Sequence, residues 1–440
     1  MNRRTLLGAA GALLAAQTTQ AATQANAKDG ASSKSFPKAF MWGVATAGHQ
    51  VEGNNVNSDC WVMENVKPTI FAEPSGDADN SFALWATDLD LVKALGLNTY
   101  RFSLEWARIE PERGLWSIAM LDHYKSMIEG CQARGITPMV TFNHYTTPRW
   151  FAAAGGWTAP DSADHFTRFC DRAARHLSTG IGYATTLNEP NIMRILRFVL
   201  PKPVLDGQRA MLDAAARACG SAKFVGGNAV NPEDVDLMTR NLLAGHKAGR
   251  LAIKSVRPDL PVGVSLSMFD DQAVGPDSRR DKVRDELYGA WMEAVHGDDF
   301  FGVQNYERVR WDANGKLPTP ASAIHNDAGG EVYAPSLANA VRYAYKAAGV
   351  PIIVSEHGVN THDDRIRAAL IPAALAELKL AIDEGVPVKG YMHWSLLDNF
   401  EWIGGFSGQL GLCTVDRTTF KRTPKLSAAV YSGIARRNSI

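Results

Sequence analysis

The sequence predicts an α/β protein built as one closed (β/α)8 barrel, the TIM-barrel architecture. Three observations lead there. From Phe36 onward, short apolar β-type runs alternate with amphipathic helical patterns, the signature of a parallel sheet covered by helices. The runs number eight, the count that closes a barrel. The chain is 440 residues long, 45% apolar and 21% charged, which suits an ordinary folded chain with a large core in one unit.

The predicted strands, in order, are Met41–Ala45, Thr99–Ser103, Thr137–Phe142, Tyr183–Leu187, Val262–Leu266, Phe301–Val303, Ile352–Val354 and Gly390–Trp394. Helical periodicity falls between them at Leu84–Leu95, Ile118–Arg134, Ala163–Leu177, Val235–Val256, Leu337–Ala348 and Ala368–Glu384. The longest gap between strands, Pro190 to Pro261, contains a Gly-rich segment from Gly220 to Asn228 and is read as carrying a loop insertion. No short repeat or domain linker interrupts this pattern, so residues 36–440 form a single barrel domain.

The first residues follow another logic. Arg3-Arg4 precedes an uncharged run from Thr5 to Ala16, and small residues follow from Thr18 to Ala27. A basic start, an apolar middle and a small-residue cleavage zone make residues 1–27 an export signal. The apolar middle is too short for a permanent membrane span. Paired arginines with weak hydrophobicity favour the twin-arginine route, although Asn2 stands where that motif usually has Ser or Thr; an ordinary secretory signal carrying two arginines is the alternative. Export implies a periplasmic or secreted protein. Residues 28–35 read as a disordered linker.

Composition excludes several function classes. Lys+Arg and Asp+Glu are 46 each, so no basic excess points to nucleic acid. The five cysteines, Cys60, Cys131, Cys170, Cys219 and Cys413, are scattered and odd in number, which argues against a disulfide framework or a zinc site. No phosphate-binding glycine loop, zinc-protease motif or serine elbow is present. No cofactor and no metal are called for.

Two acidic motifs 167 positions apart carry the chemistry: Thr186-Leu187-Asn188-Glu189-Pro190 and Ile353-Val354-Ser355-Glu356-His357-Gly358. Each glutamate follows a short β-type run. In a (β/α)8 barrel the functional groups sit at the carboxyl ends of strands, so both carboxyls are expected at one mouth, where such a pair can act on the two sides of a sugar. Gln50 lies beyond the first strand, Arg101 in the second, His144 after the third, Tyr306 after the sixth and Trp394 at the eighth. Taken singly, each has a bland reading. Glu189 or Glu356 alone fits a surface loop, Trp394 and His144 the core, Asn188 a turn before proline, and Arg101 a structural ion pair.

The ordered set is more specific. Phe40-x-Trp42-Gly43-x-Ala45-Thr46-Ala47-x-His49-Gln50-Val51-Glu52-Gly53, Tyr100-Arg101-Phe102-Ser103-x-x-Trp106-x-Arg108-Ile109, Asn143-His144-Tyr145, the Asn188-Glu189-Pro190 run and Gly390-Tyr391-Met392-His393-Trp394-Ser395-Leu396-Leu397-Asp398-Asn399-Phe400-Glu401-Trp402 resemble the motifs of glycoside hydrolase family one, the β-glucosidase family. The resemblance runs from about Phe36 to the end. It implies Glu189 as acid/base and Glu356 as nucleophile of a retaining hydrolase, with Arg101 and Tyr306 contacting the nucleophile. It further implies Asn188 at the 2-hydroxyl, Gln50, His144, Glu401 and Trp402 as the clamp on the other hydroxyls, Trp394 as the floor under the ring, and Phe406 at the rim. Retaining chemistry requires carboxyls about 5–5.5 Å apart. Family members acting on 6-phosphoglycosides tend to lose the carboxylate at Glu401, so an unphosphorylated sugar is implied.

The sequence also departs from the family pattern. His357 replaces the usual Asn, Tyr145 a common Trp, Gln304-Asn305-Tyr306 the frequent Asn-Tyr-Tyr, and Gln409-Leu410-Gly411 the usual Arg-Phe-Gly. The segment after Asn191 is unlike the family loop. The expected activity is an exo-acting retaining β-glycosidase releasing a terminal β-D-glucosyl or related hexosyl residue from a small aglycone. The rivals are a transglycosylase, a non-catalytic sugar binder and an endo-acting barrel hydrolase.

Overall fold

Eight parallel strands close into a barrel at the centre of the chain: β1 Met41–Ala45, β2 Thr99–Ser103, β3 Thr137–Asn143, β4 Tyr183–Asn188, β5 Val262–Ser267, β6 Phe300–Asn305, β7 Ile352–His357 and β8 Val388–Trp394. Each pairs with its neighbours in sequence, and β1 meets β8 in parallel register from Met41↔Gly390 to Ala45↔Trp394. The computed structural model describes residues 34–440. The expected export signal and residues 28–33 of the expected linker lie outside the described residues. The end of that linker is ordered, contrary to expectation: Ser35 pairs with Ser439, and the Ile440 amide donates to the Lys34 carbonyl at 3.2 Å.

All eight predicted strands form, and β3 to β7 run one to three residues beyond the predicted ends. Those extra residues (Asn143, Asn188, Ser267, Gln304, Asn305, Ser355, Glu356 and His357) are polar. A strand read from apolar content stops where its side chains become functional, although the ladder of backbone hydrogen bonds continues.

The six predicted helices are α1 Ser81–Ala94, α2 Ile118–Ala133, α3 Ser162–Leu177, α4 Val235–Val256, α6 Ser336–Ala348 and α7 Asp364–Asp383. Two more complete the ring. Residues 280–294 form α5, an α–π–α composite whose π segment, Asp285–Gly289, breaks the 3.6-residue period. The last, α8 Leu426–Arg437, buries Ser427, Ala428, Tyr431, Ile434 and Ala435, too few of them large and apolar to stand out in the sequence. The insertion after β4 is no mere loop. It holds two helices, Ile192–Val199 and Lys202–Ala218.

Period-2 alternation divides the strand side chains between two environments. Trp42, Val44, Tyr100, Phe102, Val140, Phe142, Phe301, Val303, Ile352, Val354 and Tyr391 belong to the layer between sheet and helices. Met41, Ala45, Met139, Phe300, Ile353, Met392 and Trp394 belong to the barrel interior. Along an inward row the chemistry changes with height: Met139, Thr141, Asn143 in β3, and Phe300, Gly302, Gln304 in β6. The barrel is therefore plugged by apolar groups below and opens into polar groups above. The plug is tight, since a Cβ on Gly43 would lie 2.3 Å from Met392 Sδ and 2.7 Å from the Thr99 carbonyl oxygen.

Outside the barrel, Trp106, Phe142, Phe166 and Phe169 form an aromatic cluster beneath α3, with the Trp106 and Phe169 rings stacked at 5.1 Å. Phe169 is fully buried. Truncating such a side chain removes its buried area and leaves a cavity. Phe169→Ala is expected to destabilise the fold by about 3–5 kcal/mol, measured as a lowered midpoint of denaturant unfolding; an unchanged midpoint would refute the packing role.

Candidate active site

The upper mouth of the barrel opens into a cavity of about 330 Å³ lined by Gln50, His144, Tyr145, Asn188, Glu189, Tyr306, Glu356, Trp394, Glu401 and Trp402, among others. They arrive from several strand ends. Glu189 follows β4, Glu356 ends β7 one residue before its terminus, Trp394 closes β8, and His144 follows β3. Arg101, the middle residue of β2, lies beneath the cavity and is fully buried.

Arg101 organises the floor. Its Nη1 donates to Glu356 Oε1 at 2.6 Å and its Nη2 to Asn188 Oδ1 at 2.5 Å. Gln304, the inward residue of β6, donates from Nε2 to the same two acceptors, at 2.9 Å and 2.7 Å. Tyr306 completes the set by donating its hydroxyl to Glu356 Oε2 at 2.6 Å. Asn188 Oδ1 thus receives two donors, so its amide nitrogen faces His144 Nε2 at 3.1 Å as a donor. That makes His144 Nε2 an acceptor and puts the imidazole proton on Nδ1. Burial, aided by the Arg101 charge, holds the His144 pKa well below its ordinary value, so the ring is neutral.

The two glutamates differ in their surroundings. Glu189 is buried with no cationic partner, and the Tyr145 hydroxyl donates to its Oε2. Burial first, and the Glu356 charge second, push its pKa up to about 8. Burial also raises Glu356, but the Arg101 guanidinium, the Tyr306 hydroxyl, and the Gln304 amide all favour its charged form. The first proton to leave this pair therefore leaves Glu356.

The chain is similar to proteins of known activity along nearly its whole length. A family model described as Glycosyl hydrolase family 1 matches residues 32–212 and 313–440. A β-glucosidase of an Agrobacterium species is 30% identical over 458 residues, covering 91% of this chain and 95% of its own. Two solved structures superimpose with TM-scores of 0.87: a β-glucosidase designated 1317, at 38% identity covering 90% of this chain and 98% of its own, and the β-glycosidase BGL167, at 42% identity covering 92% and 98%. The chain belongs to glycosyl hydrolase family 1. The stretch that escapes the family model, 213–312, contains the Gly-rich segment, α4, β5, α5 and β6.

The family-type residues read from the sequence gather around one cavity, with one exception. Phe406 does not line it. Its ring packs edge-on against Phe400 at 5.4 Å and under the Arg417 guanidinium at 3.5 Å, and its amide donates to Glu73 Oε1 at 2.9 Å. It braces the loop that carries Glu401 and Trp402. Gln50 is fixed by donating from Nε2 to Asn399 Oδ1 at 3.0 Å and to the Phe400 carbonyl at 2.9 Å, while its Oε1 is left without a protein partner. Glu401 lies beside the Trp394 indole and the Gln50 amide; burial lifts its pKa to about 8.

Sequence reasoning missed Gln304, Tyr145 and Ser267 as parts of the site. Gln304 and Tyr145 registered only as departures from the family pattern, and Ser267, whose hydroxyl lies beside the Glu189 carboxyl, left no signal at all. His357 turns out to face away from the chemistry: its Nδ1 lies 2.8 Å from the Tyr391 hydroxyl behind the sheet, and burial lowers its pKa to about 3, so it is neutral.

Among the described residues, one group places three donor types together, His49, Cys60 and Glu64, all buried, with donor atoms within 4.8 Å of one another. Glu64 is already engaged by the Ser75 hydroxyl at 2.6 Å, and the His49 ring stacks behind Trp402 at 5.9 Å. These residues serve as backing for the cavity wall. All five cysteines are free thiols, four of them buried.

A raised carboxyl pKa means the neutral acid is present below it and lost above it. As pH rises through about 8, Glu189 is expected to ionise and kcat/KM to fall. Carbon-13 carboxyl NMR separates the contributions: Glu189→Gln should remove one glutamate resonance titrating near pH 8 and Glu401→Gln another. Titration of Glu189 in the ordinary carboxylate range would contradict the environment described.

Proposed function

We propose that the protein is a retaining, exo-acting β-glycosidase that removes a terminal β-D-glucosyl or related hexosyl residue. The carrying observation is the unequal pair: Glu356 ion-paired to a buried arginine, Glu189 buried with no ion-pair partner, both on one cavity. As the C1–O bond breaks, Glu189 gives its proton to the glycosidic oxygen and the aglycone leaves as an alcohol. The Glu356 carboxylate meanwhile forms a bond to C1, and the sugar is held as a glycosyl ester. Water then attacks C1, passes a proton to Glu189 and releases Glu356, so the configuration at C1 is retained.

The remaining groups support this cycle. Arg101 and Tyr306 hold the nucleophile ionised and aimed. Asn188, pinned by Arg101 and Gln304, is assigned to the 2-hydroxyl, where a hydrogen bond strengthens in an oxocarbenium-like transition state. Gln50, His144, Glu401 and Trp402 are assigned to the remaining hydroxyls, and Trp394 to the apolar face of the ring. The double displacement needs two carboxyls and no cofactor.

We further propose that the chain is exported through residues 1–27. No helix among the described residues is long and apolar enough to cross a membrane. Replacing Arg3-Arg4 by two lysines is expected to trap the precursor inside the cell, read as loss of the shortened form from the periplasmic fraction. Normal processing would leave the twin-arginine assignment without support.

Glu356→Ala is expected to lower kcat on an aryl β-glucoside by about 10⁴-fold or more. Glu189→Ala is expected to cost about 10²–10⁴-fold and to be rescued by azide on substrates with activated leaving groups, with a β-glycosyl azide as product. Full activity of purified Glu356→Ala would refute the assignment.

A further inference from the structure

The cavity is lined by two unlike kinds of residue. Gln50, His144 and Glu401 are polar, whereas the helix Ile192–Val199, which begins three residues after Glu189, presents Ile192, Leu196 and the following Leu200 to the same cavity. These residues recur every fourth position and so form one stripe. Two other residues of the same helix, Met193 and Ile195, are buried in the core on either side of this stripe. The charged residues between them are turned to partners elsewhere: Arg194 to Asp236 at 2.7 Å and Arg197 to Glu286 at 2.8 Å. Phe71, Met211 and Ile403 add apolar surface to the same lining. Two polar side chains, Gln208 and Asn228, reach this part of the lining, and the Gln208 amide nitrogen is committed to the Val230 carbonyl at 2.7 Å. Ile403 of this lining is 39% exposed, and Val199, on the Ile192 side of the helix, is 40% exposed.

We propose that this wall binds the aglycone, and that the enzyme is specialised for β-glucosides of large apolar alcohols, aryl, polycyclic or long alkyl, rather than for glucosyl sugars. The inference rests on the proposed roles of Glu189 and Glu356, because the leaving oxygen is the one that Glu189 meets. A second glucose would bring hydroxyls to a surface with almost nothing to bond them, leaving polar groups unsatisfied on burial. An apolar aglycone gains from the same surface. From Ile192 to Leu200 the wall runs for about 12 Å, at 1.5 Å per helical residue, enough for two or three fused rings or an eight-carbon chain.

The deciding experiment is the series of methyl, butyl, hexyl and octyl β-D-glucosides, beside cellobiose and 4-nitrophenyl β-D-glucoside. The alkanols are similar leaving groups, so changes in kcat/KM along the series report aglycone contact. The expected result is a rise of at least about 30-fold from methyl to octyl, with octyl glucoside far ahead of cellobiose. Leu196→Gln is expected to reduce the octyl-to-methyl ratio about fivefold, a ratio that general loss of folded enzyme does not move. Should that variant fail to fold, the wild-type series decides alone. A flat series, or cellobiose equal to octyl glucoside, overturns the inference while leaving the glycosidase reading intact. Failure to cleave even 4-nitrophenyl β-D-glucoside overturns that reading and the inference with it.

Discussion

A guanidinium fully removed from solvent lies under the sugar cavity, and the rest of the site is arranged to keep it there. Burying one charge costs several kcal/mol unless a partner and hydrogen bonds answer it. Arg101 is answered by Glu356 and Asn188. The consequences propagate. Glu356 has a strong reason to stay ionised. Asn188 has its oxygen occupied, which turns its nitrogen toward His144 and sets that ring's tautomer. Residues from β2, β4, β6 and β7, together with the loop after β3, thus share one connected network, and the barrel's closure is what brings them within reach.

The same barrel holds a second carboxyl in the opposite state. Glu189 has burial and a like charge nearby and no ion pair, and Arg101 acts on it only weakly, so it retains its proton to a higher pH. It has a left-handed backbone conformation, φ 41°, as do its partner Tyr145, φ 65°, and Trp402, φ 52°. Such conformations cost about 1–3 kcal/mol each and persist only where the surroundings over-determine them. The surroundings here are buried acids. Glu105 accepts from the His49 amide, Asn55 and the Thr146 hydroxyl, joining the turn that carries Gln50 to the turn that carries His144 and Tyr145. Asp59 accepts from the Thr147 amide and hydroxyl and from the Gly227 amide. Gly227 approaches so closely that a Cβ there would lie 1.7 Å from the Tyr145 carbonyl oxygen.

The insertion after β4 shows why one helix can serve both stability and selectivity. Met193 and Ile195 anchor the helix Ile192–Val199 to the core, and its arginines tie it to neighbouring segments. Its remaining apolar stripe is free to shape the cavity. The sequence marked this segment as unusual but read it as a loop, because a helix of 8 residues offers little more than two turns of periodicity and sits in a stretch bounded by Pro190, Pro201 and Pro203. The composite α5 was missed because its π turn breaks the helical period.

Local pattern by itself determined the eight strands, six of the helices and the two glutamates, because alternation, helical periodicity and short motifs are properties of neighbouring residues. Even the residues above the plug were legible wherever a motif held them, as with Arg101, Asn188 and Trp394. Only the tertiary structure decided what each polar group meets. Gln304 bridging Asn188 to Glu356, Tyr145 capping Glu189, Phe406 bracing a loop instead of lining the cavity, and His357 turning behind the sheet all depend on contacts between segments dozens to hundreds of residues apart. Such contacts are made by barrel closure, and the guanidinium and the donors it brings to Glu356, rather than the burial both carboxyls share, distinguish one glutamate's acidity from the other's.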